Sequence, residues 1–217
     1  MPAEFIDPYI DTKFNVLRNL VGATSYDELA NAEGEYVSSR TAELLSKKLP
    51  QLAGSLDDFK FLHHAIFKDI FDWAGEIRTV EIKKNTEGSE YFLPSCRVEQ
   101  GFQWSQEELK ADLFLQNLSK QDFIERLAYH YDNYNYIHPF REGNGRTQRL
   151  FWTILCRHAG YDLNWLGVSG SENDSASKVA AETKNLTELI KMFEKICTPC
   201  KPDDVLFAGT FQSNHLK

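Results

Sequence analysis

Apolar residues recur every three or four positions along most of this chain, and that spacing commits it to a bundle of helices. The clearest run is residues 56–74, LDDFKFLHHAIFKDIFDWA. Leu56, Phe59, Leu62, Ile66, Ile70 and Trp73 fall on one face, with Ser55 placed to cap the start and Gly75 to end it. The same spacing predicts helices over 26–48, interrupted by Gly34, and over 121–137, with Phe123, Leu127, Tyr131 and Tyr134 as its stripe. It predicts two more, over 145–159 ended by Gly160, and over 174–197 with Leu186, Leu189, Ile190 and Phe193 facing inward. At 217 residues the chain is long for one domain and short for two, so a single mainly α domain with a large core is expected.

One stretch departs from this period. Residues 78–94, RTVEIKKNTEGSEYFLP, alternate apolar and polar, pass through the turn cluster NTEGS, and resume as EYFL, which is a hairpin signature. Two short strands alone are marginally stable in water. Such a hairpin on a helical body is either a structural flap or an edge that receives another chain, and the residues by themselves leave both open.

The net charge of -8 argues against general binding to a nucleic-acid backbone, which needs clustered Lys and Arg. No apolar run approaches the length of a membrane span. The opening MPAEFIDPYIDTKF carries early acids and no apolar h-region, so neither a secretory leader nor a membrane partner is expected, and the chain reads as cytoplasmic. Cys96 and Cys156 stand alone, and Cys197 and Cys200 form one CTPC. A single CxxC falls short of the four ligands of a structural zinc site, and reduced thiols are expected.

The chemistry concentrates in His138–Arg149, HPFREGNGRTQR. Gly143 and Gly145 let the backbone approach a ligand closely, and Asn144 tolerates the left-handed region and adds an amide donor. At the start of a helix, where unpaired amides and the dipole favour negative charge, GNG makes an anion nest. Arg146 and Arg149, three apart, share one face beside it, and two guanidinium groups suit a polyphosphate. Glu142 would repel phosphate unless a divalent cation lies between, so it implies Mg²⁺ with a nucleotide. No GxxxxGK[ST] occurs, so this is not a P-loop. His138, five residues before the nest, is placed to deprotonate an attacking hydroxyl. Phe140 reads as an apolar anchor pinning the loop to the core.

This run resembles the active-site motif of Fic-domain proteins, HPFx[D/E]GNGRxxR, at every specified position. DPYID, LRNL, IFKDIFDWAGEIRTV, the hairpin and HAGYDLNW look like the bacterial stand-alone members, so the resemblance covers most of residues 7–195. It implies a helical Fic core over 56–197, preceded by a helical extension over 1–55 and followed by a tail over 198–217. It implies transfer of AMP from ATP to a protein Tyr, Thr or Ser hydroxyl, with release of pyrophosphate. His138 would be the general base and Glu142 the Mg²⁺ ligand. Asn144 and the Gly143 and Gly145 backbone would hold the α-phosphate, with Arg146 on the β-phosphate and Arg149 on the γ-phosphate. The hairpin would be the flap that pairs with the target's backbone, through Val80, Ile82 and Tyr91. Adenine contacts would come from around Asn164 and Trp165 or from the following helix. The target would be a type II topoisomerase subunit or, were this the Fic portion of a longer effector, a small GTPase.

Fic proteins are often restrained by a helix carrying [S/T]xxxE[G/N], whose glutamate pairs with the second motif arginine. Thr24/Glu28, Ser39/Glu43, Thr86/Glu90 and Ser95/Glu99 have the spacing, but Leu, Leu, Tyr and Gln follow the glutamates. The expectation is that a separate small antitoxin supplies the inhibitory glutamate, making the chain the toxin of a pair. Two other functions stay open: transfer of a different nucleoside monophosphate, and a nucleotide-gated binding module without chemistry, against which the retained His138 argues.

Overall fold

The computed structural model describes residues 7–83 and 91–201. Its first helix, α1 (Tyr26–Leu45), begins where the Ser25 hydroxyl accepts the amide of Glu28. Gly34 does not interrupt it. A helical glycine costs about 1 kcal/mol, and the helix offsets that by burying Leu29, Glu33 and Val37 along one face.

The second helix, α2 (Leu56–Phe67), has the expected cap: Ser55 and Asp58 form a reciprocal capping box. It stops at Phe67, well short of the expected Ala74. Beyond it the chain makes successive tight turns, and Phe71 stacks on Trp73 with ring centroids 4.2 Å apart. Residues two apart lie on opposite faces of a helix, so this contact excludes the helical continuation that the periodicity suggested. Gly75, at φ 86°, then turns the chain back against α2.

A helix absent from the sequence reading, α3 (Val98–Ala111), buries only Val98, Phe102, Ser105 and Leu109, and its remaining positions are too polar to announce it. α4 (Lys120–Ile137) and α5 (Asn144–His158) form the centre. Every residue of α5 from Leu150 to Cys156 is buried, as befits a helix surrounded by others. α4 packs against α3 and α5, and α2 against α1 and α5. The single helix expected over 174–197 is two, α6 (Gly170–Thr183) and α7 (Thr187–Ile196). Lys184 turns left-handed at φ 58°, and the Asn185 side chain accepts the Thr187 amide, so local turn chemistry breaks the run.

Two small antiparallel ladders complete the described residues. β1 (Ile10–Asp11) pairs with β2 (Val16–Leu17), and β3 (Tyr161–Leu163) with β4 (Cys197–Pro199) in the register Tyr161 to Pro199. Thr198 and Pro199 therefore belong to the body rather than to a tail, and residues 202–217 lie outside the described part. The N-terminal segment also shares the core: Tyr9 meets Trp73 edge-on at 5.2 Å, and the Leu20 amide donates to Ile70 at 2.7 Å. Cys96, Cys156 and Cys197 are free thiols. No helix among the described residues is long and apolar enough to cross a membrane.

Of the expected hairpin, the described residues show a single bridge, Lys83 to Tyr91, and a 3.1 Å bond from the Phe92 amide to the Ile82 carbonyl. The turn cluster lies outside the described residues.

Candidate active site

α4 and α5 are consecutive and packed together, so the six residues between them, His138–Gly143, are forced into a tight loop over the core. Both of its ends are left-handed, at φ 47° for His138 and 81° for Gly143. Phe140 is fully buried, as expected of an anchor, and its ring stacks on His63 at 3.9 Å.

His63, on α2, was not anticipated as part of the site. The Gly75 amide donates to its Nδ1 at 2.8 Å, so Nε2 carries the hydrogen and donates to the Glu142 carbonyl at 3.0 Å. Burial pushes its pKa down to about 3, which keeps it a neutral donor to the loop. The two adjacent histidines were the only sequence signal, and they sat inside an apolar helical stripe that accounted for them.

Asn144 braces the loop through its side chain. Its Oδ1 accepts the Phe140 amide at 2.8 Å and its Nδ2 donates to the Phe140 carbonyl at 2.7 Å. Through these two bonds the side chain closes the loop. The two glycines also divide their labour. A Cβ on Gly143 would lie 2.4 Å from the Phe67 ring, so the fold itself requires glycine there. A Cβ on Gly145 would meet only Arg149 Nη1, at 3.6 Å, an ordinary contact. Among the described residues nothing demands glycine at 145, and the space beside it is open to a ligand.

No side chain caps α5, whose first intrahelical bond is Thr147 N–H to the Gly143 carbonyl at 3.0 Å. The amides of Asn144, Gly145 and Arg146 thus open the helix without an intrahelical acceptor, the arrangement that draws anions. Arg146 and Arg149 line a cavity of about 510 Å³ together with Thr153, Asn164 and Trp165 and with Val37 and Thr41 of α1. Within that lining, Trp165 Nε1 donates to Thr153 Oγ1 at 2.9 Å.

Glu142 is half-exposed at the mouth of the loop. Its Oε1 accepts the Gly143 amide at 2.8 Å and lies 3.3 Å from Arg146 Nη2. Among the described residues no group of three or more His, Cys, Asp or Glu could hold a metal ion by itself. An accessible carboxylate beside an uncapped helix start fits the way Mg²⁺ is commonly held, by one or two carboxylates and the phosphates it accompanies.

Arg146 also forms an ion pair with Glu33 of α1. The glutamates singled out by spacing are elsewhere: Glu28 accepts from Thr24, Glu43 pairs with Arg40 and Lys47, Glu99 is exposed on α3, and Glu90 lies outside the described residues. Glu33 is followed by Gly34, as in the restraining motif, but Leu29 stands four residues before it in place of Ser or Thr. Without that hydroxyl the motif does not single Glu33 out in the sequence. Burial raises the Glu33 pKa, opposed by Arg146.

His138 Nδ1 lies 3.0 Å from the Asn135 carbonyl. A neutral imidazole donating there has Nε2 as its basic nitrogen. Phe92, from the returning arm of the hairpin, lies flat on the imidazole at 3.6 Å with 7° between the planes. Tyr91 is largely exposed, and Ile82 packs partly against the core. Val80 does not offer itself to a partner: its side chain is buried and its carbonyl accepts Arg78 Nη1 at 2.8 Å. A β-branched apolar side chain at the root of the hairpin is worth more in the core than at the edge.

The Fic/DOC family model matches residues 53–156, the span that carries α2, α4, the loop and most of α5. The probable protein adenylyltransferase Fic of Escherichia coli (strain K12) is 33% identical over 190 residues, covering 88% of this chain and 92% of that one. Its namesake from Salmonella typhimurium is 34% identical over 189 residues, covering 87% and 91%. The solved N-terminal Fic domain of a putative cell filamentation protein from Bartonella quintana, with bound ADP, superposes with a TM-score of 0.80 at 25% identity, covering 89% of this chain and 95% of that one. With 33–34% identity to these relatives over nearly their whole length and a fold that superposes at a TM-score of 0.80, the chain belongs to the Fic/DOC family.

Proposed function

We propose that this chain is a protein adenylyltransferase that moves AMP from ATP to a target hydroxyl, with His138 as the general base. His138 Nε2 takes the hydroxyl proton, the freed oxygen bonds the α-phosphorus, and the bond from that phosphorus to the bridging oxygen breaks, releasing pyrophosphate. The open amides at the start of α5 face the charge that develops on the α-phosphate. Asn144 acts here through its backbone, its side chain being the brace of the loop. Arg146 would take the β-phosphate and Arg149 the γ-phosphate. Glu142 would hold Mg²⁺, which when bound neutralises phosphate charge. The observation that carries the reading is the joining of a basic imidazole and an uncapped helix start by one six-residue loop that His63, Phe140 and Asn144 hold rigid.

The target would add a strand to the flap beside Ile82 and Tyr91, with Val80 as its root. A cytoplasmic type II topoisomerase subunit or a small GTPase would serve. The adenine would lie toward Asn164 and Trp165 or α6. Restraint has two sources in this reading. Glu33 competes with phosphate for Arg146 from within the chain. Among the described residues no carboxylate pairs with Arg149, and a separate antitoxin's glutamate would reach it through the cavity it shares with α1.

Intact-mass analysis after incubation with Mg²⁺–ATP and bacterial lysate tests the reaction. An added AMP on the chain or a lysate protein is expected, absent with His138→Ala while ATP binding persists. Transfer surviving in His138→Ala would remove the assigned base. Label from GTP, CTP or UTP in place of ATP would favour a different nucleotide donor, and ATP binding without any transfer would favour a binding module.

A further inference from the structure

Arg78 lies sixty residues before the catalytic loop, and none of its side chain is exposed. A charge sealed inside a protein persists only where its donors are filled. Three segments fill them with backbone carbonyls. Nε donates to His138 at 2.8 Å, Nη1 to Val80 at 2.8 Å and Nη2 to Leu93. The Arg78 amide donates in addition to the Pro139 carbonyl at 2.9 Å. Glu81 lies 3.3 Å from Nη1, and its carboxylate accepts the Ser95 amide at 3.0 Å and the Ser95 hydroxyl at 2.7 Å. One side chain therefore grips the outgoing arm of the hairpin, the returning arm and the backbone of the proposed base.

The hairpin needs such a grip. Its described ladder is one bridge and one further bond, which by itself sets neither register nor distance. The ring of Phe92 nevertheless lies squarely on the His138 imidazole. That alignment requires the returning arm and the base to share one frame: the Leu93 amide ties the arm to the Tyr136 carbonyl at 3.0 Å, and the Arg78 guanidinium joins the carbonyls of Leu93 and His138 directly.

We propose that Arg78 is a positioning residue that locks both arms of the flap to the His138 backbone, so that a target strand lying on the flap and the imidazole that deprotonates its hydroxyl are held in register. A misplacement of about 1 Å between reacting groups costs on the order of a hundredfold in rate. The role rests on His138 being the base, and the test separates the two.

The test compares wild type, Arg78→Met, Arg78→Lys and Glu81→Gln in the full chain. Carbon–proton NMR of the His138 ring reports the upfield displacement imposed by the stacked Phe92 ring. Alongside it, transfer of α-labelled ATP to lysate proteins and calorimetric ATP affinity are measured. In Arg78→Met the displacement is expected to shrink clearly and transfer to fall about a hundredfold, with ATP affinity within about twofold, since no phosphate-binding group is touched. Arg78→Lys should recover part of both. A folded Arg78→Met with wild-type ring shifts overturns the proposal, as does an equal loss of transfer and ATP affinity. Should Arg78→Met not fold, Glu81→Gln decides. It frees one side of the guanidinium and the Ser95 arm, and a partial loss of the displacement is expected, with unchanged shifts overturning the clamp. Persistent transfer in His138→Ala would dismiss the base assignment, while the ring shifts would still report whether Arg78 joins flap and loop.

Discussion

At the scale of single residues, Glu33 and Arg146 have the clearest consequence. Their ion pair places a carboxylate where the proposed reaction would bring a phosphate, so neutralising it should favour nucleotide binding. Glu33→Gln is expected to tighten ATP binding roughly fivefold by calorimetry. Stability should hardly fall. Burial is the first cause of the raised Glu33 pKa and Arg146 opposes it only in part, so the folded state disfavours this carboxylate overall. That contribution to stability is present at low pH and is lost as pH rises through the folded pKa. A weaker ATP affinity in Glu33→Gln would instead make Glu33 a support that holds Arg146 ready for phosphate.

At the scale of elements, the join between α4 and α5 turns on two glycines with different reasons. Gly143→Ala puts a methyl against Phe67 and a side chain at φ 81°. A loss of about 3 kcal/mol is expected in urea unfolding, with activity lost as the loop shifts. Gly145→Ala should fold with near wild-type stability, because its Cβ meets only the tip of Arg149. It should bind ATP roughly tenfold more weakly, the worth of one charge-assisted hydrogen bond displaced by the methyl. Equal stabilities for the two variants would contradict this division between fold and ligand.

For the whole molecule, His63 couples the site to pH. Its folded pKa of about 3 lies below the ordinary value of 6.5, so the folded protein refuses a proton that the unfolded chain accepts. Its contribution to stability is complete above pH 6.5 and is lost as pH falls toward 3. Between pH 6.5 and 5 the wild type should lose on the order of 2 kcal/mol more than His63→Gln, which does not titrate there. Urea midpoints of both proteins at the two pH values check it. Parallel losses would mean that acid acts through other groups. Protonation would take away the Nδ1 that accepts the Gly75 amide and leave Nε2 donating to the Glu142 carbonyl, so the same acid limb should slacken the turn at Gly75 first.

The sequence by itself determined the helical class, most helix starts and the chemistry of the loop. These are local properties. Ser55 caps α2 through Asp58 three residues on, and the groups from His138 to Arg149 are neighbours in the chain, so spacing and side-chain type suffice to read them. The end of α2 was not legible, because a stacking contact between Phe71 and Trp73 overrode a valid helical period. α3 was missed because its apolar positions are too few, and the break at Lys184 because turn chemistry hid within a good stripe. Only the tertiary structure decided that His63 donates to Glu142 across 79 residues and that Arg78 binds His138 across 60. It alone decided that Glu33 reaches Arg146, that the Asn144 side chain faces inward and that Val80 is buried. Such contacts depend on which helix faces meet and at what height, and no residue carries that information within its own few neighbours.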